Sequence, residues 1–232
     1  MMTSAAPTDL GHFDRRTLIV FLSIDLALIA ISISFGLMIV MDRVTVWPDL
    51  FNVARDWSLG EMFNYLKWLL LIAILFRSYL QDRLLLLLMM CLFLLLVLGD
   101  DMLLLHERGG PILVIWTSLH KTIGPVAFQI GELAIWALLG AVGAVFLYIG
   151  WRAADQSLRR KVKPMAWLFG GVIFCAVVLD VLHGLMPDNT VLGGVFLILE
   201  DGGEMLFISA MLSYAVGTFG KVASHVPAYR NA

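Results

Sequence analysis

Charge is scarce in this sequence. Of its 232 residues 15% are Asp, Glu, Lys or Arg and 60% are hydrophobic, with a mean hydropathy of +0.90. A soluble domain carries about a quarter charged residues and about half apolar ones, so a soluble fold is excluded and an integral membrane protein is expected. Cysteine is rarer still. Cys91 and Cys175 lack Cys-x-x-Cys spacing and fall inside apolar runs, where a thiol behaves as a small hydrophobe. No basic block interleaved with aromatics is present, which argues against nucleic acid as a partner. Gly-x-Ser-x-Gly, P-loop and dinucleotide fingerprints are also missing.

What is abundant is apolar runs long enough to cross a bilayer, which takes about 20 residues. Six are expected, at about 18–41, 59–76, 84–105, 126–149, 165–186 and 191–218, joined by short connections. The fold class is therefore all-α, a polytopic bundle of six transmembrane helices forming one domain over 1–232, with short tails at about 1–16 and 220–232. Basic residues gather on alternate connections. Arg15 and Arg16 precede the first span, Arg77 and Arg83 follow the second, Arg152, Arg159, Arg160, Lys161 and Lys163 follow the fourth, and Lys221 and Arg230 follow the sixth. The opposite connections hold only Arg43, Arg55, Arg108 and Lys121. By the positive-inside rule both termini are cytoplasmic, and a bacterial inner membrane is the expected location.

Against this background the acids stand out. Gly-Glu opens each span that starts outside: Gly60-Glu61, Gly131-Glu132 and Gly203-Glu204. Spans that end outside carry Asp and His near their exits, namely Asp100, Asp101, His106 and Glu107 after the third, and Asp180 and His183 after the fifth. The pattern is a weak repeat of two-helix units. At a rise of about 1.5 Å per residue these groups lie one or more turns below the outer surface. A carboxylate in hydrocarbon costs at least about 2.5–3.5 kcal/mol, so the layer calls for protons or a positive ion. Arg108 and Lys121 lie in the outer connection and Lys67 sits deeper, so protein cations do not meet the need.

A divalent metal would. Asp180 and His183 at i, i+3, and Glu200 and Glu204 at i, i+4, share helix faces. A carboxylate and a His three apart, facing carboxylates of other helices, is similar to the arrangement of di-iron and di-manganese bundles, with Asp in place of their usual Glu. The expected metal ligands are Asp101, His106, Glu132, Asp180, His183 and Glu204. Such an oxygen-rich set with imidazole suits zinc, iron or manganese, as one ion or a dinuclear pair. Glu61, Glu200 and Glu107 are the candidate catalytic bases or outer supports, although Ser58-x-x-Glu61 also matches a capping box. Of the adjacent aspartates, Asp101 is expected to face the site and Asp100 to support the helix exit or pair with Arg108. Asp25 and Lys67 lie at comparable depth in the inner half and read as a buried ion pair.

The functional expectation is an integral membrane metal-binding protein. Its first form is a metal-dependent enzyme, a hydrolase or di-iron-type oxidase, acting on a lipid-like or membrane-associated substrate from the non-cytoplasmic side. A divalent cation or cation/proton transporter is the alternative from a second class, and a non-catalytic membrane module of a larger complex is the third. Membrane lipid is the expected surrounding partner.

Overall fold

A computed structural model describes residues 11–184, 186 and 190–220. Lys221, His225 and Arg230 lie outside the described residues. The described chain is helical, without strands. Helix α1 spans Arg15–Val40, α2 Leu59–Asp82, α3 Leu85–Leu103, α4 Leu105–Thr117, α5 His120–Ile123 and α6 Val126–Ala153. Helix α7 spans Gln156–Ile173 and continues through a π-helical stretch, Phe174–Leu179, into α8, Asp180–Gly184; α9 spans Val191–Phe219. Among the described residues five helices are long and apolar enough to cross a membrane: α1, α2, α3, α6 and the run Gln156–Gly184. Helix α9 is not among them. Its 29 residues include Glu200, Asp201 and Glu204, and it carries more buried residues than any other helix.

Local sequence explains where the helices start. Asp14, Ser58, Asp155 and Thr190 are side-chain N-caps, accepting from Thr17, Glu61, Leu158 and Gly193 N respectively, which satisfies one of the open donors at each N-terminus. Ser58 is itself buried, so no solvent replaces its hydroxyl. Ser58→Ala is expected to cost about 1 kcal/mol, measured as an unfolding midpoint lowered by about 2–4 °C.

Helix α9 is the hub, packing on α1, α2 and α7, while α3 packs on α2 and α6, and α4 on α6. The apolar core lies between α2, α3, α7 and α9, around Trp68, Leu71, Leu87, Cys91, Met165, Met211 and Tyr214. Helix α1 is held differently. Its buried residues are the polar Asp25 and Ser32, whereas Ile19, Leu26, Leu37 and Val40 face outward. In lipid, apolar faces gain little from one another and polar contacts bind helices together, which is what α1 shows. Lys67 Nζ donates to Asp25 Oδ1 at 2.8 Å, to Met205 O at 2.9 Å and to Ser209 Oγ at 3.2 Å. The expected ion pair thus joins α1, α2 and α9.

Two differences from the sequence reading matter for the site. The helix that carries the fifth apolar run begins at Gln156, well before the run itself, because Arg159, Arg160, Lys161 and Lys163 occupy the first turns of α7. The connection after α3 is itself helical, since α4 carries Pro111 yet packs closely on α6.

Candidate functional site

Glu61 and Glu132 stand in the first turns of α2 and α6, Asp100 and Asp101 near the end of α3, His106 and Glu107 at the start of α4, Asp180 and His183 in α8, and Glu200 and Glu204 midway along α9. At the α3 exit the chain breaks at Leu104, which adopts a left-handed conformation with φ 53°, unfavourable for any residue with a Cβ. Asp100 compensates. Its Oδ1 accepts from His106 N at 3.0 Å, satisfying an open donor of α4, and its two oxygens hold His106 Nδ1, each at 3.1 Å. The break turns His106 back toward Asp100, although regular helix would set the two apart. His106 is also edge-on to Trp136 of α6, with ring centroids 6.1 Å apart.

Asp101 takes the other direction. Its carbonyl accepts from Tyr65 OH at 3.4 Å, and its charge acts on Glu204. Tyr65 OH also donates to Glu61 Oε1, while Glu61 Oε2 accepts from Trp57 N and Ser58 Oγ accepts from Glu61 N. Both Glu61 oxygens are engaged locally. The residue closes the start of α2 and orients Tyr65.

The π-helical stretch supplies the next two groups. An extra residue per turn displaces a helix face and is a frequent mark of functional sites. Here it ends at Asp180. His183, three residues on, reaches α9 and places Nδ1 3.2 Å from Glu200 Oε2. Asp180 is exposed and feels the charges of His183 and His106. The π stretch packs against α9 at Gly203, where a Cβ would lie 2.6 Å from Cys175 Sγ. Gly131 has the same use on α6, since a Cβ there would lie 2.6 Å from the carbonyl oxygen of Gly110 on α4. The glycine of a Gly-Glu pair thus lets a neighbouring helix come close beside the acid.

Glu204 lies within electrostatic reach of Asp101, Asp180, Glu200 and Asp201, and Glu132 within reach of His106, Glu107 and Asp180. Two Lys or Arg ion pairs lie elsewhere: Arg55 with Asp49 at 3.5 Å and Lys67 with Asp25 at 2.8 Å. On α4, which lies outside the candidate spans, burial opposes charging of His106, but the bond to Asp100 and the nearby acids prevail and raise its pKa. Burial likewise raises the pKa of Glu107, whose Oε1 is 3.9 Å from His106 Nε2.

The histidines therefore pair with acids other than those the sequence spacing favours: His106 with Asp100 rather than Asp101, and His183 with Glu200 rather than its helix neighbour Asp180. Among the described residues no three His, Cys, Asp or Glu side chains stand together so as to hold a metal ion. Tyr65 was not anticipated, although its i, i+4 relation to Glu61 was available in the sequence.

No curated protein and no solved structure matches the chain. One family model does, over residues 17–218, which takes in every helix that builds this end of the bundle, and the chain belongs to that family, described as a domain of unknown function, DUF8692.

Proposed function

We propose that this protein is a metal-dependent membrane enzyme, a hydrolase or di-iron-type oxidase, acting on a lipid-like substrate at the non-cytoplasmic boundary of a six-span bundle with cytoplasmic termini. One observation carries the reading. Both histidines hold Nδ1 against a carboxylate, His106 on Asp100 and His183 on Glu200, and neither Nε2 makes a hydrogen bond among the described residues. A metal-ligating His is normally fixed in this way, its second ring nitrogen donating to a carboxylate so that the first is oriented and made more basic. Among the described residues these acids have no Lys or Arg ion pair, Arg108 acting on Glu107 only at longer range, which supports it.

To hold zinc, iron or manganese, His106 and His183 with Asp101, Glu132, Asp180 and Glu204 would have to draw closer than they stand here, and the metal would then supply Lewis acidity or an activated water. Asp100 and Glu200 fix the imidazoles. Glu107, beside His106 Nε2, is the free carboxylate best placed as a base.

Elemental analysis of the purified protein tests this, with stoichiometric metal as the expected result. Glu200→Gln, which keeps size and removes charge, is expected to weaken metal binding about 10–100-fold. Absence of bound metal, with unfolding unaffected by chelators, would overturn the proposal. A second reading, divalent cation transport, is favoured by the π-helical break directly before Asp180, since transport sites use interrupted helices. Uptake of Mn²⁺ or Zn²⁺ into proteoliposomes, abolished by Glu204→Gln, would place transport ahead of catalysis.

A further inference from the structure

A cavity of about 420 Å³ lies over α3 between α6 and α7. Those two helices are consecutive in sequence yet scarcely touch each other, so the space between them is a cleft with an open side. Its floor is aromatic, with Phe93 and Phe169 packed edge to face at 4.8 Å. Its mouth is flanked by small, exposed residues, Gly140 and Ala144 on α6 and Ala166 on α7. A Cβ on Gly140 would meet nothing within 4 Å, so the opening is real space rather than a helix contact.

The shape selects the occupant. Along α3 the lining runs from Leu86 to Asp100, about 21 Å at the helical rise. Spread over that length, the volume open to the centre of a water-sized sphere has a mean cross-section of about 20 Å²; adding a water radius of about 1.4 Å all round makes the cleft roughly 8 Å across, room for one or two extended hydrocarbon chains. A partner helix, about 10–12 Å across with its side chains, does not fit. Since α3, α6 and the run Gln156–Gly184 that α7 opens are long and apolar enough to cross a membrane, acyl chains are also what surrounds the mouth.

The ends differ. One is closed by Trp151, whose ring carries the Arg159 guanidinium 5.3 Å from its centroid. At the other, Trp136 and Asp100 line the wall. Among the described residues Asp100 is the one ionisable group lining the cleft, and it is the carboxylate that holds His106. A carboxylate has about four lone-pair sites, so Asp100 retains acceptor capacity after serving His106. Glu107 and Glu132 act electrostatically on the same imidazole. Without a bound metal, a phosphate or carboxylate head group would meet acids there. A hydroxyl or amine would meet acceptors.

We infer that the cleft binds a lipid acyl tail and delivers a hydrogen-bond-donating head group, hydroxyl or amine, to Asp100 and His106. This deepens the enzyme proposal and rests on it only for what happens to the head group.

Photolabelling in phosphatidylcholine nanodiscs tests it, using three C16 probes with a mid-chain diazirine: a primary alcohol, a primary amine and a carboxylate. In chelator-treated protein the alcohol and amine are expected to label residues 140–147 and 165–173, at least tenfold more than the carboxylate. Ala144→Trp, which fills the mouth, and separately Gly140→Leu, should each lower labelling at least tenfold. Gly194→Leu, where added atoms also meet open space, should leave it unchanged. Labelling spread evenly over the helices, or unaffected in whichever filling variant folds, overturns the tail site. Equal labelling by the carboxylate overturns the head-group assignment. Labelling needs no metal, so cleft labelling in a protein that carries no metal as purified would sink the enzyme proposal alone, and metal without labelling would sink this one alone.

Discussion

Lys67→Met is expected to lower stability by roughly 3–5 kcal/mol, the usual cost of removing one partner of a buried ion pair, and to lower the unfolding midpoint by roughly 6–20 °C. Both Lys67 and Asp25 side chains are fully buried. Without the ammonium, Asp25 keeps one hydrogen bond, from Ser209 Oγ to Oδ2 at 2.5 Å, and Met205 O loses a donor. No water is at hand in the bilayer interior to replace them. The effect should concentrate on α1, whose buried residues are Asp25 and Ser32 alone. Adding Asp25→Leu should return most of the loss, because the cost lies in the orphaned charge more than in the lost pair. Cys91 and Cys175 are both free and buried, so a thiol-reactive fluorophore reports unfolding directly. If the single variant unfolds at the wild-type temperature, or the double variant no higher than the single, the pair does not hold α1 to the bundle.

The same pair shows what the sequence discloses. Two opposite charges at matching depth in apolar runs have few other solutions, so Asp25 and Lys67 could be joined from spacing alone. Hydropathy likewise marks α1, α2, α3 and α6, and the capping pattern Ser58-x-x-Glu61 marks the start of α2. The site was less legible. His106 reaches Asp100 only because Leu104 leaves the helix in a left-handed conformation, and no glycine or asparagine announces that break. Helix α4 reads as a loop because Gly109, Gly110 and Pro111 are loop residues by propensity; here the glycines permit close packing on α6, and Pro111 is tolerated within the helix. The π stretch has no compositional mark, yet it decides where Asp180 and His183 point. The lipid-sized cleft is equally silent, since Gly140, Ala144 and Ala166 are ordinary membrane-helix residues until α6 and α7 are seen to part around them.

Gly110→Leu should produce the second large loss, about 3 kcal/mol or more, at or beyond the usual range for overpacking. The reason is that backbone meets backbone. A Cβ on Gly110 would lie 2.6 Å from Glu132 N and 2.9 Å from Glu132 Cα, and one on Gly131 would lie 2.6 Å from Gly110 O. Rotating a side chain relieves neither contact, so α4 must lift from α6. His106 lies one helical turn before Gly110 on α4, and Glu132 is one of the residues struck, so the lift pulls apart the groups assigned to the metal and head-group sites. Metal content and C16-amine labelling near Trp136 are therefore expected to fall even in protein kept folded at low temperature. Gly99→Ala is the matched control. It lies in the same part of the bundle, on α3, where a Cβ meets nothing within 4 Å, and removal of a helical glycine should raise stability by roughly 0.5–1 kcal/mol. If Gly110→Leu behaves like Gly99→Ala, then α4 does not depend on the glycine crossing for its place. Asp100 and the Leu104 turn would then be sufficient to hold His106 over the cleft.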